Sequence, residues 1–230
     1  MAAVQAPPTG DVDLATTTVR ELNAALHAAP AGAAFRVLRP DGRHSIAAGL
    51  TAPLEVDVAG HAGYYCAGMN QRAVVRVHGN AGVGVAENMM SGRVEVDGHA
   101  GQSAAASAHG GLLLVRRGAA ARCAISLKGA DVVVAGSVGH AAAFMAQSGV
   151  LVVCGDAGEG LGDSLYETRI YVRGRVASLG ADCVAKDLRD EHAAQLRELL
   201  ARAGLGDADP LDFTRYGSAR TLYHFDGGGR

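Results

Sequence analysis

The sequence predicts an all-β fold, a right-handed parallel β-helix of about seven 19-residue rungs with a helix flanking it at each end. Three observations carry this. Val recurs at positions 58, 77, 96, 115, 134, 153 and 172, a step of 19 residues each time. Two residues before each of these stands another aliphatic, Val56, Val75, Val94, Leu113, Val132, Leu151 and Ile170, so every unit carries the alternation of a short strand with one buried face. Two residues after the Val column comes a glycine column, Gly60, Gly79, Gly98, Gly136, Gly155 and Gly174, interrupted at Arg117. Three residues further on stand Gly63, Gly82, Gly101, Gly139 and Gly158, with Ala120 and Ala177 in the other two units.

Taken in chain order, residues 1–14 read as a flexible tail and 15–50 as an N-terminal helix with a capping segment. The helix is expected over 16–28, where Val19, Leu22 and Leu26 share a face, Thr17 or Thr18 suits the N-cap, and Glu21 follows at capping-box distance. The β-helix proper spans 51–187. Within it, each strand is followed by a glycine that supplies either a positive φ or a close backbone approach at a corner. A further column, Ala67, Ala86, Ala105, Ala124, Ala143, Gly162 and Ala181, admits only small side chains and reads as an inward, crowded position. No helix-length amphipathic pattern lies between Asp41 and Asp187, which excludes helical repeats, and a step of 19 does not fit the multiples of six of a hexapeptide helix. The second helix is expected over 188–204, with Leu188, Leu196, Leu199 and Leu200 on one stripe and Gly204 to stop it. Residues 205–230 read as an arm that packs on a neighbour. The two helices are expected to cap the ends of the stack, since unpaired terminal strands invite edge-to-edge association.

Composition bounds the partners. Lys and Arg number 21 against 23 Asp and Glu, so the chain has no electrostatic footprint for nucleic acid or an anionic membrane. The first residues lack a basic start followed by an apolar run, and no apolar stretch reaches about 18 residues, so a cytoplasmic protein is expected. With no Trp, 4% aromatics and 32 Gly, the core must be slender and built from Ala, Val and Leu.

The candidate chemistry is sparse. Gly155 to Gly162 resembles a glycine-rich phosphate loop, but no helix follows to face a phosphate. Cys66 and Cys123 share a column three rungs apart, roughly 14 Å, and Cys154 and Cys183 fall in other columns, so the four read as buried free thiols rather than ligands of one metal. His61 and His99 share the column after the first glycine with Asn80 between them, which reads as a solvated polar ladder. His78, His109 and His140 fall in different columns. Asp156, Glu159 and Asp163 form an acidic cluster on a turn, read as a solvated corner or a contact for a basic partner. No Gly-x-Ser-x-Gly elbow is present. The expectation is a chain with no catalytic, cofactor-binding or metal residues of its own, whose distinctive feature is the glycine lattice.

The stretches AGHAGYYCAG, DGHAGQSAAASAHGG, the run from Ala135 to Cys183 and the closing SARTLYHFD resemble the GXGXG family, the β-helix domain at the C-terminal end of the glutamate synthase large subunit. As a free-standing chain of this length it is most similar to the small β-helix chain of N-methylglutamate synthases, the GlxC type, over about positions 16–226. This resemblance implies a hetero-oligomer in which a glutaminase-like class II amidotransferase subunit and an FMN-binding, iron-sulfur synthase subunit carry the chemistry. The implied reaction converts methylamine and L-glutamate to N-methyl-L-glutamate and ammonia. The chain itself departs from those catalytic requirements, since Met1 is followed by Ala2 where an N-terminal nucleophile enzyme needs Cys, and no local cysteine cluster is present. Arg117 and Ala120 break the glycine columns in the fourth rung, where a distortion or a contact is expected. Two other assignments fit the same β-helix: a subunit of formylmethanofuran dehydrogenase, and an independent ligand-binding module.

Overall fold

The computed structural model describes residues 8–221. Residues 1–7 of the expected tail and the end of the arm lie outside the described residues. The chain forms a parallel β-solenoid of about 7 turns flanked by two helices. Its repeating strands are β3 (Glu55–Ala59), β4 (Val74–Val77), β5 (Arg93–Val96), β6 (Leu112–Val115), β7 (Lys128–Val134), β8 (Ser148–Val153) and β9 (Arg169–Val172). They pair parallel in the register the spacing predicts, Val56 on Val75, Val75 on Val94, and so on to Leu151 on Ile170. Both apolar columns point inward and are buried along the whole stack. Burying each such side chain contributes roughly 1.5–3 kcal/mol, so the column rather than any single residue holds the fold.

The solenoid starts earlier than the 19-residue lattice. Strand β1 (Pro8–Asp13), within the segment read as a tail, pairs parallel with β2 (Ala34–Leu38), and β2 pairs with β3. Phe35 sits on Val56 and Val37 on Val58, a step of 21 residues. That extra pair of residues hides β2 from a 19-residue search.

Helix α1 (Val19–Ala28) is shorter than expected but carries the expected capping box. Thr18 Oγ1 accepts from Glu21 N at 3.2 Å and Glu21 Oε2 accepts from Thr18 N at 2.8 Å. It buries Leu22 and Leu26 completely in the solenoid core. Its Asn23 donates to Ser45 O at 2.8 Å and accepts from Ala47 N at 3.0 Å, so α1 does close the N-terminal end of the stack.

Helix α2 (Asp190–Arg202) does something different from the cap expected of it. Leu196, Leu199 and Leu200 pack on Leu112, Leu114, Val133, Val152 and Tyr171, forming a second apolar cluster on the outer face of β6–β9. The sequence dictates this switch of face. The outward position immediately before each lattice Val reads Asp57, Arg76 and Glu95 in β3–β5, then Leu114, Val133, Val152 and Tyr171 in β6–β9. An apolar outer face needs a cover, and α2 supplies it. Gly204, at φ +69, ends the helix as expected.

The arm also folds back on its own chain. After a short 3₁₀ turn at Pro210–Asp212, strand β11 (Thr214–Ser218) inserts antiparallel between β9 and β10 (Cys183–Lys186), giving the sheet order β9-β11-β10 at its C-terminal edge. Phe213 is buried against the α2 cluster with Arg173 stacked over its ring at 6.0 Å. The C-terminal end of the stack thus carries an antiparallel pair, and the arm places Phe213 in the α2 cluster and β11 in the sheet of its own chain, leaving Leu211 exposed.

Candidate functional site

The glycine lattice is a backbone-to-backbone contact. Gly136 and its counterparts Gly79, Gly98, Gly155 and Gly174 do not adopt positive φ; only Gly60, the first of the column, does, at +147. A Cβ on Gly136 would lie 2.8 Å from the carbonyl oxygen of Arg117, and one on Gly79 would lie 2.8 Å from the carbonyl of Gly60. In the second column a Cβ on Gly101 would meet the Gly82 carbonyl carbon at 2.6 Å, and one on Gly158 that of Gly139 at 2.8 Å. Of the two reasons expected for a glycine at these corners, close backbone approach is the one that holds along the column, with positive φ confined to Gly60. Between the two columns runs a third ladder of single bridges, Ala62–Ala81–Ala100–Ala119–Val138–Ala157–Val176.

Positive φ is carried instead by residues with side chains. Ala67, Ala86, Ala105, Ala124 and Ala143, the small-residue column, are fully buried at φ between +53 and +60. Tyr65, Ser103, Arg122 and Ala141 two residues earlier, and Met69, Asn88, Ser107, Ser126 and Met145 two residues later, share this left-handed conformation. Each costs about 1–2 kcal/mol in an L-residue. The cost is met by the rung-to-rung bonds these residues make, such as Ala105 N to Val85 O and Ala124 N to Ala104 O, at 2.9 and 2.8 Å.

The column of His61, Asn80 and His99 is a side-chain-to-backbone ladder. His61 Nδ1 accepts from Asn80 N at 2.9 Å, Asn80 Oδ1 from His99 N at 2.8 Å, and His99 Nδ1 from Gly118 N at 3.2 Å. Gly118 has no side chain to continue it, and the ladder resumes with Ser137 Oγ accepting from Asp156 N and Asp156 Oδ1 from Arg175 N. These groups satisfy corner N–H donors, which is a structural task. At the break lies a shallow depression of about 450 Å³ lined by His99, Gly118, Ala120 and Ser137. The backbone is undistorted there: Arg117 N still reaches Gly98 O at 3.2 Å and Gly136 N reaches Arg117 O at 2.9 Å.

The remaining candidates do not converge. All four cysteines are buried free thiols. Burial pushes Cys66 and Cys123 up to about 12, and burial with Asp182 and Asp163 nearby does the same to Cys183. Among the described residues no group of three His, Cys, Asp or Glu is placed to hold a metal ion. Of the acidic cluster, Asp156 belongs to the ladder, Asp163 accepts from Ser164 Oγ at 2.6 Å, and Glu159 is exposed. The Gly155–Gly162 loop stacks Gly155 on Gly136 and Gly158 on Gly139 and leads through a turn into β9, not into a helix. His78 is held on the charged outer face between Asp57 at 3.1 Å and Asp97 at 2.9 Å. Partial desolvation lowers its pKa, but the bonds and charges of Asp97 and Asp57 outweigh this and raise it above the ordinary histidine value.

One concavity was not foreseen from the sequence. A cleft of about 490 Å³ lies at the C-terminal end, between the start of β9, the start of α2, and β10 and β11. Its residues are dispersed from Tyr166 to Arg220, and the signal for it was only the density of Arg and Lys in that span.

The described residues form a parallel β-solenoid with stacked corners, and the candidate groups named from the sequence do not converge on one centre. No family model matches the chain. It is 63% identical over 218 residues to protein GlxC of Rhizobium meliloti strain 1021, covering 94% of this chain and 96% of that one. The chain belongs to the GlxC family. No helix among the described residues is long and apolar enough to cross a membrane.

Proposed function

We propose that this chain is the β-helix scaffold subunit of a glutamate synthase-like complex, N-methylglutamate synthase, and takes no part in bond making. Its sister chains are a glutaminase-like subunit and an FMN-binding, iron-sulfur synthase subunit. The observation that carries the reading is the double-glycine lattice, which stacks corner on corner along the solenoid and carries the resemblance to the glutamate synthase β-helix domain. The 63% identity to GlxC over 94% of the chain supports a GlxC-type role. The four thiols support placing the iron-sulfur cluster elsewhere, because a cluster needs neighbouring thiolates and these thiols are buried and protonated. Deletion of the gene tests the reading. Extracts should lose formation of N-methylglutamate from methylamine and glutamate and regain it when the purified chain is supplied during assembly. Undiminished formation in the deletion strain would overturn it.

A further inference from the structure

The cleft at the C-terminal end is lined by Arg169, Lys186, Arg189, Arg215 and Arg220 against two carboxylates, Glu167 and Asp187. Glu167 is already held by Arg220 at 2.8 Å, and Lys186 has no ion-pair partner among the described residues. The surplus positive charge is felt locally. Burial, then Arg189 and Arg169, pulls Arg215 below the usual arginine value, and burial, then Arg215, does the same to His192.

Two further features lie at the same cleft. Thr168, 1% exposed and lining the cleft, has a buried hydroxyl with no hydrogen-bond partner among the described residues. It occupies the column of Gly111, Ala130 and Gly149, immediately before the strand, in the last regular rung. The insertion of β11 after β9 removes the next rung that would have stacked on it. A buried hydroxyl left unpaired is costly, and native structures rarely leave one without a partner. Helix α2 also begins here. Its first turn reaches the cleft through Arg189 and His192, with no side-chain hydrogen bond from Arg189 to cap it and with Asp190 and Glu191 in the same turn. His192 Nδ1 accepts from Arg189 N at 3.2 Å, which places the proton of the neutral ring on Nε2 as a further donor.

We propose that this cleft binds a small oxyanion, a phosphate- or carboxylate-bearing molecule, held by the guanidinium groups and Lys186 with Thr168 donating its hydroxyl. The fork of each arginine suits two oxygens at once, and phosphate and carboxylate present the same acceptor geometry. The site does not depend on the scaffold assignment.

Isothermal titration of the full chain with inorganic phosphate, and separately with succinate, tests this at constant ionic strength in chloride. Saturable binding of either anion at one site is expected, and the tighter of the two identifies the head group. Lys186→Gln should weaken it about tenfold through loss of a charge-assisted bond, and Thr168→Val several-fold, while the melting temperature of Thr168→Val without anion stays at or above that of the parent. Heat that follows ionic strength alone would overturn the proposal, as would parental affinity in both variants.

Discussion

The backbone N–H of Asn80 donates to Nδ1 of His61 at 2.9 Å, one complete turn of the solenoid away. The same bond repeats from His99 to Asn80 and from Gly118 to His99. Column residues therefore act on the rung that follows them, and the choice of short acceptors at these positions has a direct cause. Asn80→Ala removes the acceptor for His99 N at an exposed corner where water can replace it, so a loss of about 0.5–1.5 kcal/mol is expected. Asn80→Asp, which keeps an acceptor oxygen, should recover most of it in urea unfolding.

Gly136 and Ala143 separate the two explanations for small residues in this fold. A methyl at 136 would meet the Arg117 carbonyl at 2.8 Å, so Gly136→Ala should cost about 1–3 kcal/mol by overpacking. Ala143 already sits at φ +56 and is fully buried. Ala143→Gly relieves about 1 kcal/mol of strain and loses about 0.8 kcal/mol of burial, leaving a net change within about 1 kcal/mol of zero. Denaturant midpoints of the two variants should therefore differ clearly, with Gly136→Ala the weaker.

Leu200 is fully buried where α2 meets the outer face of β6–β9. Leu200→Ala should cost about 2–5 kcal/mol, and limited proteolysis should then cut first around α2 while β3–β5 stay protected. Uniform loss of protection along the chain would count against α2 as a separate cover.

The His78 pair with Asp57 and Asp97 contributes a pH-dependent increment. Its folded pKa is raised, so the increment is complete below the unfolded histidine value of about 6.5 and is lost as pH rises through the folded value. The side chain is 48% exposed, which limits the effect to about 1 kcal/mol or less. Unfolding midpoints compared at pH 6 and 8 should show the parent losing more stability than His78→Gln.

Most of the solenoid was legible because burial and pairing repeat at one spacing, and Val58 to Val172 display it without interruption. What escaped has physical reasons. Strand β2 steps by 21 residues to β3, so a search at 19 passes over it. The docking face of α2 was written in the change from Glu95 to Leu114 on the outward column, a contrast visible only once inward and outward positions are separated. The cleft depends on β11 returning between β9 and β10, a pairing of distant segments that no local pattern announces. The acceptor ladder was visible as a column, but its bonds run to backbone N–H groups, which a sequence does not distinguish from solvent contacts.

The central claim, that this chain is a scaffold which works inside a larger enzyme, is tested most directly by native mass spectrometry of the tagged chain captured from its own cell. The account predicts a particle containing two further kinds of chain together with FMN and iron, none of the cofactor staying with this chain after dissociation. A colourless particle containing this chain alone would contradict it.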